Sequence, residues 1–543
     1  MNESTNRTLI AMALIVLVFV GFNYLMPRKP APVAAPPADS AAVAKTPAPT
    51  SLAPAPEMKP AAPAKKPAGG FVPVTSVTLA GDGFEAVFTS LGGELSGFTL
   101  TGYRGADKKP IQMVPPDGRA LACALTVRGE PVDLSAVAFR VAGQTPQAVT
   151  FAAELEGGIA VTKRYSLAPG RSGFDLEVGL DVPEGVDLGK TYTVGWGCGL
   201  NPTERDLKQD HAEFAAVSML GGDLVSDKLG KLAKEHESVD GDIVFSGVRT
   251  KYFLAAVVPG ADKAVSVRTG VVAGTDRITT ALSVTAGRSV RDTFRVYAGP
   301  IDPAALKAVH PGLERVSDTG YRWLQPISRG ILWLLLFLHR FIANYGVVII
   351  VFSALMKLVF FPLTYQGLKS MRHMQQIQPM LKKIQEQHKK DPGRLNQETM
   401  ALYKKYGVNP FAGCLPFLIQ MPIFFALYSV LVNTIELRHS PFIWWIDDLS
   451  QPDALVRLGF KLPLFGWEVI GLLPVLMGIA MYFQQKMTPT DPKMKMMTVL
   501  MPVMMVFIFM TMPAGLVLYW LVNNILSIGE QYLIHTRVKP IGD

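Results

Sequence analysis

Lys357 sits inside the run Tyr345 to Phe361, YGVVIIVFSALMKLVFF, where nearly every other residue is apolar. The run is long enough to cross a bilayer. A lysine near the middle of a spanning helix costs about 2.5–3.5 kcal/mol on insertion scales, so it must face protein or water rather than lipid. Ser353 precedes it by four residues and Thr364 follows it by seven, which puts the three on one helical stripe. Gln420 and Tyr428, eight apart, share a face of a second apolar run. Tyr519, Asn523 and Ser527 recur at i, i+4 and i+8 in a third, with Trp520 and Asn524 beside them. Packed together, the three stripes would line a wet cavity holding one positive charge, able to attract an anion. Singly, Ser353, Gln420 or Asn523 more often serves as a helix-to-helix hydrogen bond. Lys357 does not fit that role, because no Asp or Glu falls within an expected spanning core. Glu436, Glu468 and Glu530 fall at or near span ends. The missing acid counts against an ion-coupled transporter and leaves a passing substrate as the partner of Lys357.

Other chemistry is not indicated. No HExxH, GxSxG or complete P-loop occurs. Gly185-Val186-Asp187-Leu188-Gly189-Lys190-Thr191 is one residue short of Walker A spacing and reads as a turn. The cysteines Cys123, Cys198 and Cys414 build no disulfide framework and no zinc site, though Cys123 and Cys198 could pair in an oxidising compartment. No enzyme, cofactor or metal site is expected.

The elements that must position these residues follow from composition. The chain has 543 residues, 49% hydrophobic, with a net charge of +9. That balance implies a polytopic α-helical membrane protein carrying a water-soluble domain. The excess charge flanks apolar spans, which argues for topology and against DNA. Six transmembrane helices are expected. Residues 1–27 form an anchor around Thr8 to Met26, too long for an ordinary signal-peptide core, although the small residues after it keep cleavage open. Spans two to six cover 345–365, 411–435, 468–486, 496–512 and 513–535, the last two divided at Pro513-Ala514-Gly515.

Residues 28–70 are a linker, extended and semi-rigid, because positions 31–70 hold 10 Pro and 14 Ala. Residues 71–315 alternate apolar and polar stretches between turns, and predict an all-β sandwich. Its strands include Phe84–Phe88, Leu121–Val127, Val149–Leu155, Ile159–Tyr165, Phe174–Leu180, Tyr252–Val258, Ala264–Thr269 and Ser289–Tyr297. Residues 316–344 contain ILWLLLFL, too short to span, and read as an amphipathic helix on the membrane surface.

Residues 366–410 predict a helical hairpin with a basic surface that includes Lys382, Lys383, Lys389, Lys390 and Arg394. It is either a solvated face or a docking site for something acidic. With Lys486, Lys493, Lys495 and the tail 536–543, this charge places the even-numbered loops and both termini in the cytoplasm. Residues 28–344 and the loop 436–467 then lie in the periplasm. Eleven of the 23 methionines fall within 477–512, a surface suited to varied apolar partners or ordinary bilayer-facing filler.

Four stretches resemble the YidC/Oxa/Alb insertase family, in the Gram-negative form with a large periplasmic domain. They are FFPLTYQGLKSM (360–371), NPFAGCLPFLIQMPIFFALY (409–428), FQQKM (483–487) with the later MP, and MPAGLVLYWLVNN (512–524). The resemblance implies a five-helix insertase core behind the anchor, a supersandwich-like periplasmic domain, and residence in the bacterial inner membrane. It implies insertion and chaperoning of nascent membrane proteins, alone or with the Sec translocon, and contact with ribosomes, targeting factors and lipids. The family usually carries Arg at the position of Lys357, so the charge is kept while the planar five-donor fork is lost. On this reading Lys357 is the groove charge. Ser353, Thr364, Gln420, Tyr428, Tyr519 and Asn523 line the groove, and Phe424, Leu427, Leu516 and Trp520 form an apolar slide. The rivals are a polytopic transporter or channel, a membrane-anchored carbohydrate enzyme, and a pure folding chaperone.

Overall fold

The computed structural model describes residues 74–205, 207–234, 236–260, 264–318, 323–389, 391–407, 415–460, 467–487 and 495–537. The anchor and linker expected over 1–27 and 28–70, together with Lys390 and Cys414, lie outside the described residues.

Short strands that bury alternate side chains dominate the first half. Ile159–Leu167 alternates buried and outward positions almost strictly, because successive side chains of a strand point to opposite faces. It is joined to Ala148–Leu155 by Gly157 and Gly158, both at positive φ, a conformation that glycine adopts without penalty. Each of the eight expected strands falls on an observed one. Among the described residues they assemble into antiparallel sheets of nine, six and four strands. In the nine-stranded sheet, Ser289–Pro300 pairs with Gly173–Asp181 on one side and Phe253–Pro259 on the other.

The nine- and six-stranded sheets share one apolar core around Trp196, Tyr165, Phe88 and Phe174. Tyr192 reaches between them to donate to Asp292 Oδ2 at 2.6 Å. Lys163 is fully buried in this core and donates to the carbonyls of Gly92 and Leu121 at 2.8 and 3.2 Å. Cys123 and Cys198 are both buried and unpaired. The near-Walker segment is only partly a turn: Gly185 has φ of 85°, but Leu188 already begins the strand Leu188–Trp196, so Lys190 and Thr191 lie in a strand where a P-loop would open a helix.

Among the described residues eight α-helices carry the chain onward from Pro303: α1 Pro303–Val309, α2 Gln325–His339, α3 Tyr345–Gln387, α4 Pro392–Lys405, α5 Leu415–Asn433, α6 Leu472–Met487, α7 Lys495–Phe509 and α8 Ala514–Arg537. The 15 residues of α2 reach roughly 22 Å, short of a bilayer core. Its Ile331 and Leu335 are buried, while Trp333 and Phe337 stack outward at 5.6 Å.

Among the described residues α3 alone is long and apolar enough to cross a membrane by length and composition. It also joins two elements expected separately. The span predicted to end at 365 and the first arm of the hairpin are a single 43-residue helix containing Pro362 and Pro379. Each proline removes one helical N–H bond, but the apolar stripe Leu368, Met371, Met374 continues at helical spacing and keeps the rod intact. The second arm, α4, starts at Asp391, whose carboxylate accepts from Gly393 and Arg394 N–H at 3.1 and 3.0 Å.

A second apolar core unites α2, α3, α5, α6, α7 and α8. Gly515 allows one close approach. A Cβ there would meet Leu431 Cδ2 and the Leu449 carbonyl at 3.1 Å and Ile349 Cδ1 at 3.2 Å.

Candidate functional site

Helices α3 and α8 run side by side in the same direction. Phe352 meets Tyr519 at 6.0 Å, and further along Arg372 donates to the Ile534 carbonyl at 2.7 Å. Between these levels Lys357 crosses to α8. Its Nζ donates to Ser527 Oγ at 2.6 Å and to Glu530 Oε2 at 2.9 Å. The side chains of Lys357 and Glu530 are 19% and 13% exposed.

This overturns the expectation that Lys357 has no acidic partner in the protein. Glu530 is near a span end in sequence, but a lysine stem covers more than a helical turn and snorkels toward that end. The signal was present: Glu530 follows Ser527 by three residues and so shares its face of α8. The argument against an ion-coupled transporter that rested on a missing acid therefore lapses.

The other polar residues form a separate level. Gln420 of α5 donates to the Tyr519 hydroxyl, and Asn523 Nδ2 to the Tyr519 carbonyl at 2.9 Å. Tyr519 is fully buried and Asn523 nearly so. Ser353 is also fully buried and turns its hydroxyl onto the Ile349 carbonyl at 2.7 Å. Thr364 bonds back to the carbonyls of Phe360 and Phe361, both at 3.1 Å. Tyr428 is part-buried against the helical core. The structure thus brings Gln420, Tyr519 and Asn523 together, and Lys357 with Ser527 and Glu530, but Ser353 and Thr364 bond to their own helix.

Of the apolar four, Leu427 and Leu516 have no exposed surface. Phe424 and Trp520 are part-exposed and meet edge-to-face at 5.0 Å, with Phe509 5.3 Å from Trp520. Lys382, Lys383, Lys389 and Arg394 are all exposed on the hairpin.

A second charged cluster, unforeseen in the sequence, joins the β domain to the loop after α5. Arg438 Nε donates to Glu204 Oε1 at 2.7 Å, with exposures of only 4% and 3%. Its other nitrogens donate to the carbonyls of Arg104 at 2.7 Å and Thr203 at 3.3 Å. Tyr252 and Phe253 place their rings 5.7 and 5.6 Å from the guanidinium. Burial, with Arg438 adding to it, pushes the neighbouring His439 imidazole down, and burial raises the Asp448 carboxyl.

Two family profiles match the chain. One, described as the YidC periplasmic domain, matches residues 76–334; the other, described as 60Kd inner membrane protein, matches 337–540. A "Membrane protein insertase YidC" of Pelobacter propionicus is 36% identical over 565 residues, covering 98% of this chain and 99% of the relative. The chain belongs to the YidC family. A second member, from Syntrophus aciditrophicus, is 35% identical over 474 residues and 84% of each chain. A crystal structure described as an active YidC insertase with its first transmembrane domain resolved aligns over 84% of this chain and 93% of that one, at 19% identity and a TM-score of 0.37. The passage from the YidC periplasmic profile to the membrane profile falls within α2.

Proposed function

We propose that this YidC-family chain inserts nascent membrane proteins into the bacterial inner membrane and assists their folding there. Its relatives carry the name membrane protein insertase. The observation in this chain that carries the reading is Lys357, a cation within an apolar helix, turned toward α8 and still part-exposed. The hydrophilic tail of a substrate enters from the cytoplasm, its acidic residues drawn to Lys357. Gln420, Tyr519 and Asn523 supply hydrogen bonds that a polar segment would otherwise lose in lipid. The substrate's apolar segment leaves along the part-exposed Phe424 and Trp520. No bond is made or broken and no nucleotide is consumed.

In this reading the six spans, with α3, α5, α6, α7 and α8 as the core five, leave both termini in the cytoplasm and the domain over 71–315 in the periplasm. The exposed hairpin lysines offer a surface to ribosomes, targeting factors or anionic lipid, and the chain works alone or beside the Sec translocon.

The test places a photocrosslinking residue at 424 or 520 during synthesis of a small membrane protein. Adducts with the nascent chain are expected at both positions. Their absence at both, in folded protein, overturns the groove.

A further inference from the structure

We infer that Glu530 is an internal stand-in for the substrate, occupying Lys357 at rest and exchanged for an acidic side chain of the incoming polypeptide. The inference rests on the insertase reading and deepens it.

An ammonium group has three N–H donors. Among the described residues two are engaged, by Ser527 and Glu530. The third leaves room for a second carboxylate to join before the first departs. Among the described residues, the hydrogen bond from Lys357 is what anchors the Glu530 side chain. Glu530 also lies seven residues from the end of α8, roughly 10 Å along the axis. A released carboxylate there has a short path toward water. Ser527 stays behind as a fixed acceptor that keeps Lys357 aimed at the exchange point.

Charge accounting favours exchange over simple capture. A bare lysine at this depth costs about 2.5–3.5 kcal/mol, and Glu530 offsets part of that in the idle protein. When a substrate Asp or Glu replaces it, one negative charge enters as one leaves, so Lys357 is never stranded. A neutral tail cannot displace Glu530 in this way. The lysine alone would attract any anion, whereas the pair makes attraction conditional on a competing carboxylate. Lys357 therefore supplies the preference for acidic tails, and Glu530, by competing for it, holds that preference down.

The experiment uses the full-length chain reconstituted in vesicles. Its substrate is a small membrane protein whose translocated tail carries Asp, or Asn, or Lys at the same positions. The readout is the ratio of inserted Asp-tail to Asn-tail substrate. Glu530→Gln removes the competitor, and the ratio is expected to rise about two- to fivefold, the worth of one partly exposed ion pair. The double variant K357E/E530K rebuilds the pair with reversed sign and is expected to favour the Lys tail. An unchanged or lowered ratio in E530Q, with insertion intact, overturns exchange and leaves the insertase reading standing. If E530Q does not fold, the swap decides: a preference for Lys tails supports exchange, and a retained preference for Asp tails overturns it. If the wild-type chain inserts neither substrate, the insertase reading falls and the inference with it.

Discussion

Lys357 owes its place in an apolar helix to two neighbours 170 and 173 residues away, Ser527 and Glu530. Replacing it shows which property matters. Lys357→Glu would set two carboxylates face to face across α3 and α8, and insertion of acidic-tailed substrates should fall more than that of neutral-tailed ones. Equal loss for both, measured side by side, would mean that the charge is structural. On the β domain, Arg277 grips Asp117 with two hydrogen bonds of 2.8 Å and holds its carboxyl below the usual 3.8. A depressed carboxyl contributes stability above its unfolded value and loses it as pH falls through the folded one. Thermal unfolding of Arg277→Gln should therefore trail the wild type at pH 6, with the gap closing as pH drops below about 3.8. A gap independent of pH would assign the loss to packing.

The helical core depends on close approach of whole elements. Gly515 starts α8 against Ile349 of α3 and Leu431 of α5. Gly515→Val has no room there and should cost about 1–3 kcal/mol by overpacking, read as a lower unfolding midpoint in detergent. Wild-type stability would show that the α8 terminus yields freely. Leu335, fully buried on α2, belongs to the same core. Leu335→Ala should cost about 2–5 kcal/mol and loosen α2 from α5, seen as faster proteolysis around residue 340.

Among the described residues, Arg438 ties the β domain to the helical core. Its guanidinium lies among Glu204, two β-domain carbonyls and two aromatic rings. Removing one partner of a buried pair strands the other charge, so Arg438→Ala should destabilise by about 3–5 kcal/mol, while the apolar pair R438M/E204L should cost much less. Equal losses in the single and double variants would rule out a stranded Glu204.

What was legible in the chain was periodic. Alternation marked the strands from Phe84 to Tyr297, and apolar runs marked α3, α5, α6, α7 and α8, because both patterns arise from neighbours along the backbone. The stripe positions of Lys357, Tyr519 and Asn523 followed from the same helical geometry. The continuity of α3 through Pro362 was not legible, since a proline announces a break that surrounding residues can override. Nor were the burial of Leu427 and Leu516, the Lys357–Glu530 pair and the Arg438–Glu204 tie. Each depends on which helix faces turn inward and how far a long side chain reaches across a seam. Sequence spacing orders residues along one element; only packing decides which element lies opposite, and that choice turned a seemingly lone lysine into one half of a pair.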